Sequence, residues 1–396
     1  MSGLVLVLNA GSSSIKFSVF ATDAADPALI ANGQMEGIGA APHFLARDAA
    51  KQVLAEQRWG GTDAPRDHAA ALAVLIGWLD GQFGERPILA VGHRVVHGGP
   101  DLTAPVLVDA AVLERIAALV PLAPLHQSHN LAGIRAAAEA FPGVAQVACF
   151  DTAFHRAKPW VADTYALPQR FYAQGIRRYG FHGLSYEFIA ASLAAEDPAL
   201  GAGRLVVAHL GNGASLCAIA GGRAVDTSMG FTALDGVPMG TRSGQIDPGV
   251  LLHLMQAEGM DAAALTRLLY NESGLKGMSG VSQDMREIEA AGTPEAEGAL
   301  AYFAYRVRRE IGALAAAMGG IDALVFTAGI GENARALRGR ICDGLGFLGI
   351  AVDPERNLAN APGISPPGAA TRVLVRRTDE EGMIARHALA LLAAAR

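Results

Sequence analysis

The sequence predicts an α/β protein of two domains, and three observations support this. The chain has 396 residues, which is more than one ordinary hydrophobic core holds. Short apolar runs alternate with helical patterns along the chain, as in layered folds whose sheets are covered on both faces. A strand–turn–strand segment near the N-terminus is repeated in the second half. We expect one domain of residues 1–150 with 377–396 and another of residues 151–376.

The elements are predicted from apolar runs that end at glycine or polar residues. Strands are expected at residues 4–8, 88–91, 144–150, 205–210, 323–327 and 372–375. Helices are expected between them at residues 69–79, 108–119, 131–140, 185–195 and 300–318. A last amphipathic helix, residues 379–396, is expected to pack on the first half of the chain.

The composition excludes several classes of partner. The net charge of −6 provides no basic field for nucleic acid or an anionic membrane. No window has the roughly 18 uncharged apolar residues of a membrane helix, and the N-terminus lacks a basic leader. The three cysteines show neither metal spacing nor a disulfide framework, which fits a reducing compartment. We therefore expect a cytoplasmic protein with no nucleic-acid or membrane partner.

The repeated segment predicts two similar β-hairpins. LVLNAGSSSIKF at residues 6–17 and VAHLGNGASLC at residues 207–217 each read as strand, small polar turn and strand. Their tips leave backbone N–H groups exposed, and such groups can bind phosphate oxygens. Two such hairpins suggest a duplicated architecture with a nucleotide between the halves, although a Gly/Ser hairpin is more often only a turn.

Two charged residues follow predicted strands. Arg94 lies in HRVVHGG after the strand at residues 88–91, where it can clamp a carboxylate or phosphate or form a surface salt bridge. Asp151 stands at the carboxyl end of the strand at residues 144–150, where open α/β sheets bind ligands. It can accept a proton, hold a water or metal, or cap a helix.

The third quarter of the chain contains two further candidates. His182 lies between glycines, before a helix that we expect Ser185 to cap, and it can donate a hydrogen bond to a phosphoryl group or be structural. Residues 226–244 form a long segment rich in Gly, Ser and Thr, and a loop of this length is usually functional or disordered. Within it, Arg242 can neutralise charge on a phosphoryl group.

Two motifs near the C-terminus complete the set. AGIGEN at residues 328–333 predicts a Gly-x-Gly turn between a strand and a helix, which can cradle a nucleotide. Thr378 and Glu381 read as a capping box, while the acidic residues beside them can also help to position Mg²⁺. No Walker A motif is present, which argues against a P-loop kinase.

Taken in order, these motifs resemble those of the acetate and propionate kinase family. The motifs are LNAGSSSIKF, GHRVVHGG, FDTAFH, YGFHGLS, HLGNGAS, DTSMGFT, PMGTRSG, GMSGVSQDMR, AGIGEN and TDEE. The resemblance implies two ribonuclease H-like domains, as in actin, sugar kinases and chaperone ATPases, with a nucleotide cleft between them. It implies a homodimer and a reversible, direct phosphoryl transfer from ATP to acetate, which gives acetyl phosphate and ADP. The implied metal is Mg²⁺, with Mn²⁺ as an alternative.

The resemblance also assigns roles to residues. The implied catalytic residues are Asp151, His182 and Arg242. The implied contacts to the acceptor are Arg94, Val96, Leu125 and Phe181, and the implied metal ligands are Asn9 and Glu380. The implied contacts to ATP are Lys16, His209, Leu210, Gly211, Asn212, Gly213, Asp284, Met285, Arg286, Gly329, Ile330, Gly331, Glu332 and Asn333.

The chain departs from the family pattern mainly around the acyl pocket. Ala233 stands where the family usually has a proline that lines the pocket, so propionate is an alternative acceptor. Gln127 and Gln245 replace a usual Asn and a usual Asp. A nucleotide-binding scaffold without catalysis is the alternative from another class, and the joint presence of two arginines, an aspartate and a histidine at the expected positions argues against it.

Overall fold

The computed structural model describes residues 3–24, 26–61, 63–84, 86–123 and 126–395. The chain divides into two compact units. The first unit comprises Met1–Ala153 and Asp379–Arg396, and the second comprises Phe154–Thr378. Asp151 therefore lies in the first unit, and His182 and Arg242 lie in the second.

The first unit is built on an eight-stranded sheet with the order β5-β4-β3-β2-β1-β6-β8-β7. Its strands are β1 Leu4–Ala10, β2 Ser14–Ala21, β3 Ala28–Glu36, β4 His43–Asp48, β5 Val53–Arg58, β6 Ile88–Val95, β7 Val106–Leu107 and β8 Ala145–Phe150. Its helices are α1 His68–Phe83, α2 Ala110–Ala118, α3 Gln127–Ala140 and the last helix of the chain, Glu380–Ala394. A 3₁₀ turn spans Val120–Leu122.

Helices cover both faces of this sheet. On one face, Leu4 and Leu6 of β1 pack in a core that includes Leu72 and Leu75 of α1. On the other face lies the last helix, which contacts β1 and β6. Gly92 of β6 permits this contact, because a side-chain carbon added there would meet Ile384 at 2.5 Å. The prediction that the C-terminal helix packs on the first half of the chain is confirmed.

The second unit contains a five-stranded sheet with the order β11-β10-β9-β12-β13. Its strands are β9 Arg204–Leu210, β10 Ala214–Ala220, β11 Arg223–Thr227, β12 Ala323–Thr327 and β13 Arg372–Val375. Its helices are α4 Trp160–Asp163, α5 Gln169–Ala173, α6 Gly183–Glu196, α7 Pro198–Gly201, α8 Pro248–Gln256, α9 Ala262–Arg267, α10 Gly274–Ser279, α11 Met285–Ala291, α12 Pro294–Ala317, α13 Ala328–Asn333, α14 Arg335–Cys342 and α15 Pro354–Leu358. The last helix of the chain, in the first unit, is then α16. A π-helical turn spans Leu268–Glu272, and 3₁₀ turns span Ala153–Ala157 and Gly346–Leu348.

The two sheets share one strand order. In the first, β3-β2-β1-β6-β8 are adjacent, and in the second β11-β10-β9-β12-β13 are adjacent. In both, the first three strands pair antiparallel and the following pairs are parallel. The predicted hairpins are the β1–β2 and β9–β10 pairs, whose last partners are Ala10↔Ile15 and Leu210↔Ala214. The duplication predicted from the sequence is therefore present at the level of topology.

Three local predictions are wrong. Helix α16 is capped by Asp379, whose carboxylate accepts the Gly382 N–H at 2.8 Å, and not by Thr378. Helix α6 begins at Gly183 without a side-chain cap, so Ser185 is not its cap. AGIGEN is itself the short helix α13, so its glycines lie inside a helix and not in a turn before one.

The cysteines are described next, together with the character of the helices. All three cysteines are free and buried. Burial raises the pKa of the Cys342 thiol to about 12, and burial likewise raises the pKa of Cys217, so both stay protonated and unreactive. Within the described ranges, no helix combines the length and the apolar character needed to cross a membrane.

Candidate active site

In the first unit, an arginine and an aspartate meet at the carboxyl ends of two adjacent strands. Arg94 is the penultimate residue of β6, and Asp151 directly follows β8, which is parallel to β6. The Asp151 N–H donates to the Val95 carbonyl at 3.0 Å, which continues the ladder past the strand end. Arg94 then binds the carboxylate with two donors, Nε at 3.0 Å from Oδ1 and Nη2 at 2.9 Å from Oδ2. The sequence predicted both residues but not this ion pair.

A second carboxylate completes the cluster. Glu380, in the first turn of α16, places Oε2 2.9 Å from Nη1 of Arg94. Burial opposes the charge of Arg94, but Asp151 and Glu380 outweigh it and raise the pKa of the guanidinium. A guanidinium has five N–H donors, and these ion pairs use three of them. Among the contacts of the described residues, two donors of Arg94 therefore remain for a further anion.

The structure places the other predicted residues of the first unit as follows. Asn9 is near the end of β1, and the Val96 N–H donates to Asn130 Oδ1 at 3.0 Å. Lys16 of β2 lines a separate cavity of about 250 Å³ with Arg47 and Glu381. Leu125 lies outside the described residues.

In the second unit, three of the predicted nucleotide segments line one cavity. It has a volume of about 660 Å³. Predicted residues in its wall are Gly211, Asn212, Asp284, Met285, Arg286, Gly329, Ile330 and Asn333. Gln283, Glu289 and Ala334 also line it, and the sequence interpretation missed them although they stand within or beside predicted motifs.

One wall of this cavity is held by an ion pair. Asp284 caps α11 and binds Arg286, with Nη2 2.5 Å from Oδ2. This hydrogen bond lowers the pKa of Asp284 to about 2. Of the remaining predicted residues, Leu210 is buried at the end of β9, and Glu332 forms an ion pair with Arg377 at 3.9 Å.

His182 stands beside this cavity at the start of α6. Its backbone is left-handed, with φ of 57°, a conformation that is uncommon outside glycine. Its Nδ1 lies 2.8 Å from Ser215 Oγ, and its ring stacks on that of His209 with centroids 4.2 Å apart. A side-chain carbon added at Gly213 would lie 3.2 Å from His182 Nε2 and 3.9 Å from Arg242 Nη1. Both groups therefore reach the tip of the β9–β10 hairpin.

Arg242 belongs to the predicted irregular segment, which has neither helix nor strand between β11 and α8. Its Nη1 donates to the Ala233 carbonyl at 3.2 Å and lies 3.7 Å from Met239 Sδ. Burial lowers the pKa of its guanidinium, and in the described ranges no carboxylate forms an ion pair with it. The Gly240 N–H donates to the Asn212 carbonyl at 3.1 Å, which fixes the segment to the hairpin tip.

Phe181 and the three residues that depart from the family pattern are placed as follows. Phe181 is buried, and its carbonyl lies 2.9 Å from His155 Nε2. Ala233 is half-buried. Gln127 is fully buried and donates to the His97 carbonyl at 2.8 Å. Gln245 Oε1 accepts from Arg306 Nη2 at 3.0 Å.

Comparison with known proteins covers nearly the whole chain. Residues 4–386 match the sequence profile of the acetokinase family. The acetate kinase of Methylocella silvestris is 55% identical over 399 residues, covering 99% of this chain and 98% of that protein. The crystal structure of Porphyromonas gingivalis acetate kinase matches with a TM-score of 0.90 at 38% identity, covering 98% of this chain and 100% of that one. A propionate kinase from Francisella tularensis also matches with a TM-score of 0.90, at 35% identity over 97% of this chain and 98% of that one.

Proposed function

The chain belongs to the acetokinase family and transfers a phosphoryl group from ATP to acetate, and we propose that the transfer is direct, reversible and carried by the residues assigned below. The observation that carries these assignments is the convergence of His182 Nε2 and Arg242 Nη1 at the hairpin tip, beside the 660 Å³ cavity. The products are acetyl phosphate and ADP.

In phosphoryl transfer the protein mainly aligns the reacting groups and neutralises charge on the phosphoryl oxygens. Arg242 suits the second task, because its guanidinium is half-buried and not yet paired with an anion among the described residues. His182 supplies a second donor. The nucleotide itself contacts Lys16, His209–Gly213, Asp284–Arg286 and Gly329–Asn333, and the cavity formed by three of these segments supports the assignment.

We assign the acceptor carboxylate to Arg94, with Val96, Leu125 and Phe181 around its acyl group. Two donors of Arg94 lie outside the ion pairs that it forms with described residues, and they support this role. A carboxylate is already ionised and nucleophilic at pH 7, so no general base is required. Asp151 therefore acts as the group that orients Arg94.

The residues assigned to the metal fit Mg²⁺. Asn9 and Glu380 offer one amide and one carboxylate, and the described ranges contain no group of three or more His, Cys, Asp or Glu side chains arranged for a metal. Mg²⁺ is commonly bound by one or two protein oxygens, with water and substrate phosphates completing the octahedron. When bound, it supplies charge neutralisation at the phosphates. Mn²⁺ fits the same oxygen donors.

The assembly and location inferred from the resemblance stay proposals. We assign residues 1–150 with 377–396, and residues 151–376, to two ribonuclease H-like domains, which the shared strand order supports. A homodimer is expected and is tested by light scattering on the purified protein. A cytoplasmic location fits the three free, buried thiols.

Trapping of the acyl phosphate tests the reaction. Purified protein with ATP, Mg²⁺, acetate and hydroxylamine is expected to form acetohydroxamate together with ADP. Omission of Mg²⁺ is expected to abolish product formation, and Glu380→Gln is expected to raise the Mg²⁺ concentration needed for half-maximal rate. Absence of any acyl hydroxamate from C2–C4 acids would refute the function.

Propionate is the second candidate acceptor, and Ala233 favours it because it is smaller than the proline usual in the family. A panel of acetate, propionate and butyrate in the same assay compares their kcat/KM values. A clear preference for propionate over acetate would reassign the acceptor and leave the mechanism intact.

A further inference from the structure

Two buried serines of the second unit each hold a histidine in the same way. Ser215 Oγ lies 2.8 Å from His182 Nδ1 and 2.5 Å from Tyr186 Oη. We call these three residues the Ser215 triplet. Ser185 Oγ lies 2.8 Å from His209 Nδ1 and accepts the Thr378 hydroxyl at 2.8 Å, which forms the Ser185 triplet. Both serines have no exposed surface.

The direction of the hydrogen bonds in these triplets follows from the donors available. A serine hydroxyl has one proton, and the phenol of Tyr186 is the more acidic of the two hydroxyls that meet at Ser215. Tyr186 therefore donates to Ser215, which leaves the Ser215 proton for Nδ1 of His182. In the Ser185 triplet Thr378 is the donor to Ser185, so Ser185 likewise donates to His209. A neutral imidazole that accepts at Nδ1 carries its proton at Nε2.

A second consideration is the positive charge of Arg242, which reaches the same hairpin tip as His182. The titratable or charged groups near His182 include Tyr186 of α6, His209 of β9 and Arg242 of the irregular segment. Arg242 is a permanent cation, and the His209 ring is stacked at 4.2 Å. A positive charge on His182 would be repelled by Arg242.

We propose that Ser215, supported by Tyr186, is a positioning residue that fixes His182 as the neutral Nε2–H tautomer. In this form His182 donates from Nε2 to an oxygen of the transferring phosphoryl group and needs no prior protonation. The proposal rests on the proposed function, which gives His182 its role. It adds two residues, Ser215 and Tyr186, which do not contact the substrate in this proposal. They determine which ring nitrogen of His182 carries the proton.

The tautomer can be measured without any assay of activity. Wild-type protein labelled with ¹⁵N-histidine is expected to show, for His182, a protonated Nε2 and an unprotonated Nδ1 from about pH 6 to 8. The signals are assigned by their loss in His182→Gln. An Nδ1–H tautomer or an imidazolium at neutral pH overturns the proposal.

Matched serine variants test its effect on the reaction. Ser215→Ala and Ser185→Ala each remove one buried hydroxyl from Nδ1 of a histidine. We expect Ser215→Ala to lower kcat by about tenfold to hundredfold, the usual effect of losing a partner that orients a histidine, with KM for both substrates changed little. Its residual kcat should rise as the pH falls, because an imidazolium donates from Nε2 in either orientation. Ser185→Ala should alter KM for ATP and keep the wild-type shape of the kcat–pH profile.

Two further variants separate positioning from folding. Tyr186→Phe keeps Ser215 and is expected to lower kcat less than Ser215→Ala, whereas Ser215→Thr restores the hydroxyl and should recover most of kcat. Should Ser215→Ala fail to fold, Tyr186→Phe and the wild-type spectrum decide. If His182→Gln keeps full kcat, the assigned role of His182 fails. If His182→Gln is inactive but Ser215→Ala retains the wild-type kcat and pH profile, only the present proposal is overturned.

Discussion

Arg94 and Arg242 are the two arginines assigned to the reaction, and their guanidinium groups differ in the contacts that compensate the positive charge. Arg94 binds the carboxylates of Asp151 and Glu380 within its own unit. Arg242 contacts a carbonyl oxygen and a thioether. The charge of Arg94 is thus more than balanced by two carboxylates, whereas Arg242 has no carboxylate partner in the part of the chain that the structure describes.

This difference distinguishes Arg94, for which a structural role is expected, from Arg242, for which only a role in the reaction is proposed. A buried charge without a partner is costly, whereas a buried ion pair becomes costly only when one partner is removed. The protein therefore accepts a local loss of stability at Arg242, which is typical of groups reserved for a transition state. Arg94 is expected to stabilise its unit in addition to the acceptor-binding role proposed for it.

The largest expected effect is on catalysis in Arg242→Ala. An arginine that neutralises the transferring phosphoryl group is worth about 10³–10⁵ in kcat, so we expect a loss of about 10³-fold or more. Because the substitution removes a cation for which the described residues provide no anionic partner, thermal unfolding should be unchanged or occur at higher temperature. Arg306→Ala, in the same unit, is the control. A kcat near that of wild type, or a clear loss of stability, would contradict this contrast.

Arg94→Ala is expected to lower the free energy of unfolding as well as activity. The substitution leaves Asp151, which is 3% exposed, without its arginine, and breaking a buried pair in this way costs about 3–5 kcal/mol. Denaturant unfolding of Arg94→Ala and of Arg86→Ala measures it. Arg86 pairs with Asp23 at an exposed site, where about 0–1 kcal/mol is expected.

Neutralising the carboxylate tests the same pair from the other side. Asp151→Asn combined with Arg94→Ala should recover part of the stability lost in Arg94→Ala, since one of the two carboxylates that lose Arg94, that of Asp151, is then replaced by a neutral amide. Equal unfolding free energies for Arg94→Ala and Arg86→Ala would show that Arg94 is no more structural than an exposed arginine.

Much of the fold was predictable because its central strands are buried on both faces. β1, β9 and β12 read as continuous apolar runs, and the two hairpins at their ends carry small polar turns. β3, β4 and β5 escaped prediction because their sequences mix polar and apolar residues, and most of β5 is exposed. Helix α13 was misread because Gly-x-Gly is typical of turns. Arg338, which is buried and donates to the carbonyls of Gly331 and Glu332, supports that helix from outside the motif.

The members of the candidate site were predictable, but their pairings were not. A motif gives residue types at fixed spacing, whereas the Arg94–Glu380 contact joins residues from opposite ends of the chain. The two triplets likewise pair residues from different segments of the chain. Ser185, three residues after His182, binds His209, while Ser215, six residues after His209, binds His182. Only the packing of α6 against β9 and β10 brings these groups together.

The dependence of stability on acid pH tests whether buried histidines, to which no role in the reaction is assigned, are kept uncharged by the fold. Burial lowers the pKa of His93 in the first unit to about 4 and that of His155 in the second to about 3. Between pH 6.5 and 4 the unfolded chain binds more protons at these sites than the folded protein. Stability should therefore fall as the pH falls through this range, by up to about 1.4 kcal/mol per pH unit for each histidine.

Denaturant unfolding at a series of pH values measures this slope. His93→Gln is expected to make the slope shallower below pH 6.5 and to leave it unchanged above. His253→Gln, at an exposed position of α8, is the control for the change of residue type. An unaltered slope in His93→Gln would show that His93 is not held neutral by the fold.

The smallest expected effect concerns the choice between acetate and propionate. The residue concerned, Ala233, contacts Arg242. The Ala233 carbonyl oxygen accepts a hydrogen bond from Arg242 Nη1, so the residue that departs from the family pattern lies directly beside this arginine. Ala233→Pro keeps this carbonyl and adds bulk. Since one methylene in a pocket is worth about 1–3 kcal/mol, we expect the ratio of kcat/KM for acetate to that for propionate to rise by about tenfold. Ala233→Val adds similar bulk without fixing the backbone, and an equal shift in both variants would attribute the preference to volume. An unchanged ratio in both would instead place acceptor selection with the residues around Arg94.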